Sequence, residues 1–243
     1  MLYEEIRFDI GWDDPTITGQ QFLDRTRGFV TLLAEHLPQF PHQAVFNWPE
    51  ERMDVLAADL SDFDDVVVAC LRETSFCRGH QEFTRDGIPY MEFKAYLTFG
   101  PDHKSWVFKL RHELSNQLGG NVVSLDFAPG YQTEDLVIPL FYLTLNYWRP
   151  ENGGCGMFSM LRELNPDPLT AKFRPIMGMI FEKDPAFTQD LPEFVKVTPM
   201  AGGYVLQVLD DAPFADSPEG RAKIKQLHAI LGARGLLDIP KSE

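Results

Sequence analysis

YMEFKAYLTFGPDHKSWVFKLRH, residues 90–112, decides the fold class. In its first part, Met91, Phe93, Ala95, Leu97 and Phe99 fall on one side, and Tyr90, Glu92, Lys94, Tyr96 and Thr98 on the other. A period of two is the signature of a strand with one face buried. Gly100-Pro101-Asp102 then supplies turn chemistry. Residues 106–112, WVFKLRH, alternate again, so the two segments are expected to form a hairpin. NVVSLDF at 121–127 follows the Gly119-Gly120 break and reads as a third neighbour. Strands that follow one another without intervening helices favour an antiparallel sheet.

Working outward, residues 3–10 read as a strand carrying Ile6, Phe8 and Ile10 on one face. Residues 18–37 read as a helix, with Phe22, Phe29, Leu32 and Leu33 at helical spacing and Pro38 as its stop. A short helix is expected over residues 49–60, because Pro49 suits a first helical position and Glu50 and Glu51 suit the first turn. Thr133 is placed to cap a helix over 134–148, which starts late or bends at Pro139. Strands are expected at 176–181, 195–198 and 203–209. The last helix begins at Ser217-Pro218, turns Ile224, Leu227, Ile230 and Leu231 inward and stops at Gly235. No repeat, low-complexity tract or linker interrupts the chain. The expected architecture is α+β, a single domain over 1–243 with a mostly antiparallel sheet and flanking helices.

Thirty-six acidic residues against 22 basic ones give a net charge of −14. That field repels phosphate backbones and anionic membrane surfaces, so neither nucleic acid nor a membrane is an expected partner. It attracts a basic protein. The N-terminal MLYEEIRFDIGWDD has acids where a secretion signal needs bases, and no apolar run approaches the roughly 18 residues of a membrane span. Three cysteines, Cys70, Cys77 and Cys155, are too few for a disulfide framework. A reduced, cytoplasmic setting is expected.

The chain carries no phosphate-binding loop, dinucleotide fingerprint or nucleophile elbow. GGCG at 153–156 follows a helix instead of preceding one, so it reads as a turn. Cys77 and His80 are three apart, but a structural zinc site needs a second such pair, and only His103 and His112 lie near in sequence. DLSDFDDV at 59–66 lacks the glycine and distal glutamate of a calcium loop. It reads instead as an acidic helix terminus or loop, anchored by Phe63 and by Val66, Val67 and Val68. No catalytic residue, metal site or cofactor is expected. In the closing stretch GGYVLQVLDDAPFADSPEG, residues 202–220, the glycine pair turns the chain into a strand that Asp210 and Asp211 end. Two acidic clusters, Asp62, Asp64 and Asp65 in one and Asp210, Asp211 and Asp216 in the other, are expected at exposed turns and are the candidate partner-binding residues.

The order of segments carries a resemblance. The helix FLDRTRGFVTLLAEHLPQF is followed by FNW, then by a helix ending in YWRPENGG, then by PIMGMIF, and last by the 202–220 stretch and an amphipathic helix. This order resembles the immunity protein 52 family of bacterial polymorphic toxin systems, over residues 18–237. Trp148, Pro150, Gly178, Gly203 and Phe214 match best, and their residue types read as fold-building. The resemblance implies an immunity protein, not an enzyme. It would bind and neutralise a cognate toxin, in many cases a restriction-endonuclease-like nuclease, delivered by a secretion system such as type VI in bacterial competition. The alternatives from the residues alone are a small intracellular hydrolase, using Cys77 and His80 or a carboxylate pair, and a regulatory binding protein.

Overall fold

The computed structural model describes residues 6–12, 19–47, 52–73, 92–101, 107–115, 120–128, 130–164, 177–200, 202–208 and 217–237. The chain divides into two compact units, Trp12–Ala128 and Met1–Gly11 with Pro129–Glu243. The fold is α+β, and the neighbouring strands described below all pair antiparallel.

In the numbering used here, β1 is Ile6–Trp12, α1 Gly19–His36, β2 His42–Asn47, β3 Arg52–Val55, α2 Phe63–Glu73, β4 Glu92–Gly100, β5 Phe108–Ser115 and β6 Gly120–Phe127. The Trp12–Ala128 unit orders its strands β3-β2-β4-β5-β6. The hairpin read from residues 90–112 is its centre: Leu97 registers with Leu110, and Phe99 with Phe108. On β6, Leu125 and Phe127 continue both rows. The Phe99 and Phe108 rings stack at 4.5 Å, Phe127 follows at 6.0 Å from Phe108, and Phe40 meets Phe108 edge-on at 6.5 Å. Phe99, Phe108 and Phe127 are essentially without solvent contact, so each contributes about 1.5–3 kcal/mol of transfer free energy. Helix α2 packs on β2 and β4, and Phe63, Val67 and Cys70, at i, i+4 and i+7, are buried.

The expected helix over 49–60 is not what forms. Arg52–Val55 is strand β3, paired with β2 so that Met53 faces Phe46 and Val55 faces Ala44. Four residues gain little from a helical nucleus, whereas one strand neighbour satisfies their backbone directly. The helix comes later, at Phe63, with Asp64 and Asp65 in its first turn, so the stretch 59–66, expected as a helix terminus or a loop, runs from a turn into a helix start.

The second unit orders its strands β1-β7-β8-β10-β9, with β7 Asn152–Met157, β8 Met179–Glu182, β9 Val195–Met200 and β10 Gly203–Val208. Its helices are α3 Glu134–Trp148, α4 Phe158–Leu164 and α5 Pro218–Ala233, with a 3-10 turn at Pro185–Thr188. On β1, Ile6, Phe8, Ile10 and Trp12 are buried at every second position. Phe8 meets Phe141 of α3 edge-on at 5.6 Å. On the opposite sheet face, Ile180, Leu206 and Val208 pack with Met160 of α4 and Ile224, Leu227 and Leu231 of α5. Helix α3 starts at Glu134 in spite of Pro139, which lies inside it and is exposed.

The GGCG segment is also corrected. It is not a turn but the buried strand β7, held between β1 and β8. Its glycines are there because neighbouring groups come too close for side chains. A Cβ on Gly153 would lie 2.8 Å from Ile10 Cγ2, and one on Gly156 would lie 2.8 Å from the Gly178 backbone nitrogen.

Candidate partner-binding surface

The first acidic cluster is built where the chain leaves β3 and enters α2. The Asp62 carboxylate is half-buried and accepts the Ala57 amide through both oxygens, at 3.0 and 3.2 Å, which closes the turn before the helix. Asp59 accepts the Ser61 amide at 3.1 Å, and the hydrogen bonds from Ser61 hold its carboxyl below the usual carboxylate range. Asp64 and Asp65 occupy the first turn of α2, where backbone amides and the helix dipole favour negative charge. Asp65 is exposed.

Asp64 takes one arm of a guanidinium from the neighbouring helix. Arg27 of α1 donates Nη1 to Asp64 at 3.0 Å and Nη2 to Asp24 at 2.7 Å. Gln20 donates to the same Asp24 oxygen at 3.1 Å. One cation thus gathers two carboxylates from two helices. Both ends stay near solvent, with Asp24 51% and Asp64 35% exposed at the side chain. Such pairs contribute little to stability, but they fix where the charge sits. Asp24 is a member of this surface that sequence reasoning missed. The signal for it was Arg27 three residues on, the spacing of an exposed helical ion pair.

The expectation that all three acids of this cluster stand exposed holds for Asp65, while Asp62 and Asp64 are half-buried. Asp65 is exposed, while Asp62 and Asp64 each have a partner within the protein. Turn carboxylates find nearby amide donors, and on a long helix a basic residue one turn away is within reach. The other proposed cluster, Asp210, Asp211 and Asp216, lies outside the described residues, as do Phe214, Cys77, His80 and His103.

The remaining residues singled out by the resemblance are interior. Trp148 closes α3, is 2% exposed and meets Tyr147 edge-on at 5.1 Å. Arg149 then adopts a left-handed conformation, φ 48°, and buried Pro150 follows. The Gly178 carbonyl accepts the Val208 amide at 2.9 Å. Gly203 opens β10 against Glu182 and Phe181. These positions have no surface to offer a partner.

Cys155 on β7 is fully buried, and burial first, then the charge of Asp9, pushes its thiol well above the ordinary range. A thiol held in that form is a poor nucleophile. Among the described residues no group of three or more His, Cys, Asp or Glu side chains could hold a metal ion. Among the same residues no helix is long and apolar enough to cross a membrane.

No family model matches the chain, and no curated protein matches it. Among solved structures the chain is similar to the Pseudomonas aeruginosa T6SS protein PA0821, at 12% sequence identity and a TM-score of 0.46, over 93% of this chain and 73% of that one.

Proposed function

We propose that this protein is a cytoplasmic immunity-type binding protein that neutralises a cognate basic toxin, a nuclease delivered by a secretion system, and that it does so without turnover. The observation that carries the reading is the acid set of α1 and α2, held in place by Arg27 and Ala57 on a chain of net charge −14. A nuclease must hold phosphate, so its cleft presents bases, and an acidic face can meet that cleft in place of the nucleic acid. The order of segments that resembles the immunity protein 52 family supports the same reading. Trp148, Pro150, Gly178 and Gly203 then serve the fold, and specificity lies on exposed side chains such as Asp65 and Asp24.

The test is co-purification. The tagged chain is expressed together with the product of the gene immediately upstream, where a cognate toxin is expected, with toxin activity measured alongside. The expected outcome is a salt-sensitive stoichiometric complex and loss of toxin activity. A toxin that stays free and fully active in the presence of excess protein overturns the reading.

A further inference from the structure

We draw no further inference here: the strongest candidate, the acidic face that α1 and α2 form around Arg27, belongs to the surface already described, and no second observation in the structure points to a particular ligand on it.

Discussion

Gly203 has no room for a side chain. A Cβ there would lie 2.6 Å from the Glu182 carbonyl oxygen and 2.8 Å from the Phe181 ring. Gly203→Ala is therefore expected to destabilise the protein by about 1–3 kcal/mol, the range for overpacking a filled interior. The neighbouring Gly202 sits at φ +80° with nothing within 4 Å of its would-be Cβ, so Gly202→Ala should lose only the conformational term, about 1 kcal/mol. Urea unfolding of both variants checks the order, and equal midpoints would refute it. Asp62 makes a second contrast. Asp62→Ser removes the acceptor of the Ala57 amide and should cost about 1 kcal/mol. Asp65→Ser, at an exposed position, should stay within about 0.5 kcal/mol of the parent. Cys155 supplies a pH dependence. Its folded-state thiol ionises well above the ordinary value, whereas in the unfolded chain it ionises near pH 8.5. The native state therefore holds a proton that the unfolded state releases, and stability from this group is present below about pH 8.5 and falls as pH rises beyond it. Cys155→Ala should remove up to about 1.4 kcal/mol per pH unit of that alkaline slope. Parallel slopes for parent and variant from pH 8 to 10 would show that the thiol is not the source.

At the scale of elements, α3 and α5 both carry an N-cap residue type at the right position, and only α5 uses it. The Ser217 hydroxyl accepts the Gly220 amide at 2.9 Å, with Pro218 in the first turn of α5. Thr133 has the extended backbone of a cap, yet its side chain makes no cap hydrogen bond. Ser217→Ala should therefore lower stability by about 1 kcal/mol, and Thr133→Ala should be near neutral. Chemical denaturation of the pair decides the point; a larger loss at Thr133 would contradict the observed cap geometry. Strand β2 and helix α4 were also missed from sequence, but β3 and β7 share a physical character. Strand β3 has four residues, too few to show a period. Strand β7, NGGCGM, has almost no side chains with which to alternate. Both exist because a neighbouring strand, β2 for one and β1 for the other, lies alongside to pair with them.

For the whole molecule, net charge and the placement of a few carboxylates lead to a kinetic prediction that rests on the proposed function. Asp24, Asp64 and Asp65 are on or near the surface, and exposed charges act on the rate of encounter more than on the lifetime of the complex. Replacing all three by serine is expected to slow association with the cognate toxin by about threefold or more at low salt. The difference should vanish near 1 M salt, where the screening length is about 3 Å. Stopped-flow association at both salt concentrations measures it. An unchanged rate at low salt would make these acids solubility features and move the toxin contact to another face.

Periodic side chains were enough to read β1, α1, the β4–β5 hairpin and α5, because each buries a regular row of apolar groups that sequence spacing alone exposes, while β6, α3 and β10 were read from the break or end signals beside them. Net charge was likewise legible, since it depends on composition and not on folding. Distance in the folded chain was not. Only the tertiary structure joined Arg27 to Asp64 and brought Gly156 onto Gly178 and Gly203 onto Phe181. The reason is the same in each case. Local spacing records which way a side chain faces, whereas a close approach or an ion pair is set by two segments far apart in sequence, whose meeting depends on how the whole sheet is ordered.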